Sequence, residues 1–185
     1  MQPVAFLEKV LQEHSSHGRF VYAKADLRNL FPGASDESLN MILSRSVRCG
    51  VLARVCKGIY LYEKGVGETS NVLYKVAAKL RGDCMNYVSL ETVLCEHSLI
   101  SQQLLGWITV MTTGRSGIIG CGRYGTVEFV HTAKDFASIE ENLFLDTGCG
   151  MLKANPAQAY RDMIDAKRAA LDLVNVEEVS REQRV

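Results

Sequence analysis

The sequence has no long apolar run, no metal-binding cysteine pattern and no catalytic signature. No apolar stretch approaches the roughly 18 residues that span a bilayer, so we expect no membrane partner. None of the six cysteines forms a CxxC pair, and no cysteine–histidine spacing matches a zinc site. Paired carboxylates, HExxH and a P-loop are also missing. We therefore expect no enzymatic activity, no metal and no cofactor.

The cysteines are not expected to form a disulfide framework. A chain of 185 residues with 47% apolar content can build a core without such bridges, and no signal peptide is recognisable. We therefore expect reduced thiols, mostly buried, in a cytoplasmic protein.

The formal net charge is zero, but the two halves of the sequence differ. Residues 1–64 hold nine Lys/Arg against six Asp/Glu, whereas residues 65–185 hold twelve against fifteen. The excess of positive charge at the front favours nucleic acid as a partner there, and the acidic remainder favours a different partner.

Residues 21–62 carry the strongest pattern. Apolar spacing predicts a helix over residues 22–31, which Pro32-Gly33 ends. Ser35 is the predicted N-cap of the next helix, which runs to Cys49. Two β-rich segments follow, 51–56 and 59–62, joined by a Lys57-Gly58 turn. With a preceding helix over residues 4–13, this order is typical of a winged helix-turn-helix.

The helix after Ser35 has the composition of a recognition helix. We expect Leu39, Ile42, Leu43 and Val47 to face inward. Short polar groups and arginines remain outside, and arginine and asparagine can bind guanine and adenine edges. The predicted DNA-binding residues are Ser38, Asn40, Met41, Ser44, Arg45 and Arg48 on the helix, with Arg54 and Lys57 on the hairpin. An ordinary solvated helix face is the alternative interpretation.

The remaining sequence predicts a second domain. We place a winged helix-turn-helix domain at residues 1–64, a polar linker at 63–70 and a mixed α/β domain with a small sheet at 71–185, which makes the fold class α+β. The expected elements are helices over 71–81, 90–100 (N-cap Ser89) and 139–145, strands over 107–112, 126–132 and 151–154, and a last helix from Asn155-Pro156 through Val174.

Three features of the second domain admit other interpretations. Residues 120–125 spell GxGxxG, but a nucleotide fingerprint needs a helix at its glycines, and here a strand follows. We expect a twisted hairpin or loop over 114–125 instead. Cys121 or Cys95 with a histidine could form a nucleophilic pair, and Trp107 could stack a base, yet each also fits core packing.

The sequence resembles the AbiEi family of type IV antitoxins and transcriptional regulators. Three stretches carry the resemblance: RCGVLARVCKGIYLY, YVSLETVLCEHSLI and MLKANPAQAYRDMIDAKR, the last with Ala159 and Asp162 in matching places. The resemblance covers about residues 3 to 175. It implies an N-terminal domain that binds promoter DNA and represses its own operon, and a C-terminal domain that helps to neutralise a nucleotidyltransferase-type toxin.

Pairing of two copies on DNA is also expected, because a single module of this kind reads one half-site. A transcriptional regulator without a toxin, whose second domain binds an effector or dimerises, is the alternative function. An enzyme that uses the glycine-rich loop is a third hypothesis.

Overall fold

The computed structural model describes residues 2–67, 71–101 and 103–182. Within these ranges the protein is mixed α+β, with seven α-helices and two sheets. Across the same ranges, none of the helices has the length and apolar character that crossing a membrane requires.

The chain forms two compact units, residues 1–72 and 73–185. Part of the predicted linker, residues 68–70, lies outside the described residues. Each unit has its own sheet, with three strands in the first and six in the second.

The first unit alternates helices with a small antiparallel sheet in the order β1-β3-β2. Its elements are α1 (Pro3–Ser15), β1 (Val21–Ala23), α2 (Lys24–Arg28), α3 (Asp36–Arg48), β2 (Ala53–Cys56) and β3 (Ile59–Leu61). Leucines from all three helices meet Tyr22 and Tyr62 in one core. Burial of this apolar surface is the main force that holds the short elements together.

The helix predicted over residues 22–31 is wrong at both ends. Val21–Ala23 is a strand, paired with Ile59–Leu61. The helix that follows ends at Arg28. The β-branched and aromatic residues at its predicted start gain cross-strand partners only in the folded chain, and that pairing overrides local helix propensity.

The second unit contains a six-stranded mixed sheet in the order β6-β7-β5-β4-β9-β8. Its strands are β4 (Asn86–Val88), β5 (Trp107–Thr112), β6 (Gly117–Gly120), β7 (Thr126–His131), β8 (Leu143–Asp146) and β9 (Met151–Ala154). Its helices are α4 (Val72–Leu80), α5 (Glu91–Glu96), α6 (Pro156–Asp165) and α7 (Val176–Glu182). Helices α5 and α6 pack on each other and on β5 and β9. Strands 107–112 and 151–154 are predicted correctly, and Asn155 caps α6 by accepting from the N–H of Gln158.

One other prediction for this unit is wrong, and the hairpin expected at 114–125 is confirmed; both segments add a strand to the sheet. The helix expected over 139–145 is a short 3₁₀ turn followed by β8. The segment 114–125 contains β6, which pairs antiparallel with β7, while β5 and β7 are parallel. The glycines of residues 120–125 therefore lead into a strand, as the sequence indicated, and Gly122 and Gly125 have positive φ angles.

The N-cap predicted at Ser89 is also wrong. Its hydroxyl donates instead to the carboxylate of Asp162, 2.6 Å away on α6. The N–H of Thr92, in the first turn of α5, donates to the hydroxyl of Thr109 on β5. A neighbouring strand thus supplies the cap that the local sequence would otherwise provide.

The last predicted helix is interrupted. α6 ends at Asp165, and a 3₁₀ turn over Ala169–Leu173 separates it from α7. Met163 is buried as expected, but Ile164 is 47% exposed. The buried stripe of α6 includes Gln158 and Asp162, and hydrophobic spacing does not find polar residues of this kind.

Gly125 gives a test of this architecture. A Cβ atom there would lie 2.1 Å from the carbonyl oxygen of Gly106, and the φ angle is +114°. We expect Gly125→Ala to lower the free energy of unfolding by about 3 kcal/mol or more, because backbone strain and a clash with rigid backbone add together. Gly120→Ala is the control, since a Cβ there meets open space. Equal effects of the two substitutions in urea denaturation would contradict this account.

Candidate nucleic-acid interface

Helix α3 has a well-defined start. The hydroxyl of Ser35 accepts from the N–H of Ser38, as a capping residue does, and Asp36 and Glu37 place negative charge in the first turn. The Ser35 hydroxyl in turn donates to the hydroxyl of Ser38, 3.0 Å away. Ser38 is half-buried and takes part in the cap, so it is the least available of the predicted contact residues.

The buried side of α3 differs from the prediction at one position. Leu39 and Leu43 are fully buried, but Val47 is 36% exposed and Ser46 is buried in its place. The hydroxyl of Ser46 donates to the carbonyl oxygen of Ile42, 2.8 Å away. A serine that satisfies its hydroxyl on the preceding turn can occupy an inward position without an unpaired polar group.

The other predicted residues of α3 lie on its exposed surface: Asn40, Met41, Ser44, Arg45 and Arg48. Arg54 and Lys57, on the β2–β3 hairpin, are exposed as well. Gly58 has a φ of +78° in the turn that the two strands share, and the Arg54 Nε atom lies 3.4 Å from the carbonyl oxygen of Cys56. Seven of the eight predicted side chains are thus accessible to solvent, on one helix and one hairpin of the first unit.

The cations of the first unit form two groups, those with a carboxylate partner and those without one. Lys24 and Arg28 on α2 both pair with Asp36, the lysine at 3.9 Å. Lys64 pairs with Glu8 at 2.7 Å, which raises the pKa of the lysine. Among the described residues, Arg45, Arg48, Arg54 and Lys57 have no carboxylate partner. The predicted contact cations therefore keep their charge available for a ligand.

This arrangement suits recognition of nucleic acid, which has an anionic phosphate backbone and polar base edges. Arginine and lysine donate to phosphate oxygens, and each neutralised phosphate releases counterions. The side chain of Asn40 offers the donor and acceptor that adenine requires, and Met41 offers apolar contact.

Sequence reasoning missed a buried polar cluster in the second unit. Asp162 is fully buried, and its carboxylate accepts from Ser89 at 2.6 Å, Lys134 at 2.7 Å and Gln158 at 2.7 Å. Burial works against the charge of Lys134, but hydrogen bonds to Asp162 and Asp165 outweigh it, so the lysine pKa is raised. The only indication of this cluster in the sequence is that polar residues lie within otherwise apolar segments.

A second hydrogen-bonded network holds the indole ring of Trp107. Its indole N–H donates to Glu128, 3.2 Å away, and Glu128 also binds Arg168 at 2.6 Å. Burial opposes the charge of Glu128, yet the hydrogen bond from Arg168 holds its pKa below the usual value. Arg168 reaches Glu91 of α5 as well, at 2.6 Å. This network ties the indole to the framework of the second unit.

Across the described ranges, no three His, Cys, Asp or Glu side chains converge in a way that could hold a metal ion. Comparison with models of known protein families and with curated proteins finds no match to this chain.

The cluster around Asp162 yields a matched pair of substitutions. Asp162→Ala leaves Ser89, Gln158 and Lys134 without their shared acceptor, and we expect a loss of about 3 kcal/mol in the free energy of unfolding. Asp165→Ala removes the partly exposed carboxylate that binds the same lysine at 2.7 Å, and should cost less than about 1 kcal/mol. Thermal and urea unfolding measure both values. Similar losses of unfolding free energy from the two substitutions would show that the Asp162 cluster contributes no more to stability than the exposed carboxylate of Asp165.

Proposed function

We propose that the first unit is a winged helix-turn-helix that binds double-stranded promoter DNA, with α3 in the major groove and the β2–β3 hairpin as the wing. The order of elements supports this proposal. A helix, a strand, two helices and a hairpin follow one another, and the strand joins the hairpin as a third member of its sheet. A module of this kind presents its last helix to DNA and its hairpin beside it.

The distribution of paired and unpaired cations carries the proposal. The cations that carboxylates neutralise lie on α2 and after β3, whereas those of α3 and the hairpin have no carboxylate partner among the described residues. In the proposed complex, Asn40, Met41 and Ser44 meet base edges, and Arg54 and Lys57 bind phosphates.

We further propose that the protein is a cytoplasmic antitoxin of a type IV toxin–antitoxin system, similar to the AbiEi family. It would repress its own operon, pair with a second copy on DNA and counteract a nucleotidyltransferase-type toxin. The support is the resemblance of three stretches. Two of them contact each other in the second unit, where Ser89 of the first donates to Asp162 of the second. The matching residues there, Ala159 and Asp162, are both buried, so the resemblance in this unit concerns the framework that would present a surface to a toxin.

DNA binding is tested by fluorescence anisotropy on the upstream region of the gene and on a scrambled duplex, at several salt concentrations. We expect Lys57→Ala to weaken binding to both duplexes and to reduce the slope of log affinity against log salt by about 1, because one phosphate contact is lost. Asn40→Ala should weaken the specific complex by about 1–3 kcal/mol and leave the scrambled duplex nearly unaffected.

Lys9→Ala is the control for the charge change, since Lys9 is exposed on α1 and lies outside the predicted contact set. If both Lys57→Ala and Asn40→Ala leave the affinity unchanged, as Lys9→Ala should, the assigned interface is refuted. Equal affinity of the wild type for both duplexes would refute sequence-specific binding.

Toxin neutralisation is tested by co-expression with the product of the neighbouring gene, scored by growth. We expect the wild type to restore growth and Lys57→Ala to do so equally well, because that residue belongs to the DNA contact alone. A promoter reporter should lose repression with the same variant. No rescue by the wild type would favour a regulator without a toxin.

A further inference from the structure

The six-stranded sheet of the second unit ends on both sides in a short strand with exposed apolar side chains. β6 (Gly117–Gly120) and β8 (Leu143–Asp146) are its two outer strands. Among the described residues, β6 pairs only with β7 and β8 only with β9. Ile118 is 64% exposed, Phe144 46% and Leu145 63%. The outer side of such a strand, here called the β6 edge or the β8 edge, presents backbone N–H and C=O groups with which a further strand can pair.

Neither edge carries the features that commonly prevent such pairing. Proteins protect an outer strand with lysine, with proline or with a bulge that bends the strand away. β6 reads GIIG and β8 reads LFLD, so neither strand contains lysine or proline. The register of each strand with its inner neighbour runs without a shift, which excludes a bulge in either. Within the described part of the second unit, both edges are therefore open to a further strand.

The two edges differ in the sign of their charge. Arg115 precedes β6 and Arg123 follows it, both are exposed, and residues 113–125 contain neither Asp nor Glu. On the opposite side of the sheet, Glu140 and Glu141 come directly before β8 and are exposed. Neither glutamate pairs with a cation of the described chain. The β6 edge is thus flanked by positive charge, and the β8 edge by negative charge.

Internal ion pairs do not neutralise the acidic side. Lys134 and Lys153 are the lysines closest to β8 in the sequence. Lys134 pairs with two carboxylates of α6, and Lys153 pairs with Glu96 and Asp146. Both lysines are therefore committed to the framework of the unit, and the two glutamates before β8 keep their charge available for a partner.

We propose that the β8 edge binds the β6 edge of a second copy of this chain, so that the sheet continues from one molecule into the next. Two β6 edges would bring arginines together, and two β8 edges would bring carboxylates together. Like charges on paired strands are destabilising and opposite charges are stabilising. Pairing of β6 with β8 is the combination that joins opposite charges.

One antiparallel register satisfies the apolar and the charged residues together. In this register, Ile118 of one copy lies opposite Leu145 of the other. Ile119 then lies opposite Phe144, and the two four-residue strands overlap over their full length. Apolar pairs of this kind stabilise antiparallel strands. The same direction brings the arginine that follows β6 to the end of β8 where the two glutamates lie.

The proposed contact joins two different surfaces, so it is heterologous. A dimer formed in this way keeps one unused β6 edge and one unused β8 edge, and further copies can add to it. Association therefore increases with protein concentration instead of stopping at a dimer. In the proposed function the contact would join copies on neighbouring DNA sites, but it does not itself require DNA.

Analytical ultracentrifugation of the full chain without DNA measures this association. We expect the average mass of the wild type to rise with concentration above the 20.5 kDa of one chain. Ile118→Lys and Leu145→Lys each place a charge opposite an apolar side chain and should weaken association about tenfold or more. Ile164→Lys, at a similarly exposed position on α6, is the control and should associate as the wild type does. A wild type that stays monomeric at every concentration would overturn the proposal.

A mixture of the two edge variants shows which edges meet. Ile118→Lys keeps an intact β8 edge and Leu145→Lys an intact β6 edge, so an equimolar mixture should form a dimer with one copy of each. This dimer cannot grow, because its two unused edges carry the introduced lysines. Association of Ile118→Lys alone as tight as that of the wild type would indicate pairing of two β8 edges, and the same result for Leu145→Lys would indicate pairing of two β6 edges. Either result, or a mixture without dimer, contradicts the proposal.

Two further measurements separate this inference from the proposed DNA binding. Because the replaced side chains are exposed, the melting temperatures of the lysine variants should match that of the wild type. Lys57→Ala should self-associate as the wild type does. At protein concentrations below those of self-association, Ile118→Lys should bind the upstream duplex with wild-type affinity. DNA binding without self-association would refute this inference alone, and self-association without DNA binding would refute the proposed function alone.

Discussion

The burial of Leu39 and Leu43 determines which residues of α3 can meet a ligand. Both side chains are fully enclosed in the core of the first unit, and this fixes the rotation of the helix about its own axis. At 3.6 residues per turn, the positions that remain outside then follow by geometry. Because the two leucines are buried, the exposed positions include Asn40, Met41, Ser44 and Arg48. Everything proposed for this surface depends on that rotation.

The two units use charge in different ways. In the second unit, Asp162, Glu128 and Arg168 are enclosed in hydrogen-bonded networks that join helices to the sheet. Such groups are costly to bury unless every partner is present, so they specify one arrangement of the chain. In the first unit, Asp36 and Glu8 pair with Lys24, Arg28 and Lys64, and the exposed arginines of α3 have no carboxylate partner among the described residues. Charged groups stabilise the framework of the second unit, whereas in the first unit the arginines of α3 remain available at the surface.

The inward face of α3 shows which part of the candidate interface the sequence could not predict. Apolar spacing correctly placed Leu39 and Leu43 inside. It also placed Val47 inside, but Ser46 is the buried residue there, and its hydroxyl donates to the carbonyl oxygen of Ile42. An apolar pattern contains no information about such a hydrogen bond, so it cannot indicate a buried serine.

Local chemistry by itself determined the ends and faces of several elements. Ser35 and Asn155 cap their helices and Gly58 takes the left-handed turn conformation because these features need only a few neighbouring residues. The tertiary structure alone decided where distant partners replace local ones. Val21–Ala23 is a strand because it pairs with β3, and Leu143–Asp146 is a strand because it pairs with β9. Thr109 provides the cap that Ser89 was expected to provide. The physical reason is that cross-strand hydrogen bonds and buried polar contacts join residues far apart in the chain, so their contribution is absent until the chain has folded.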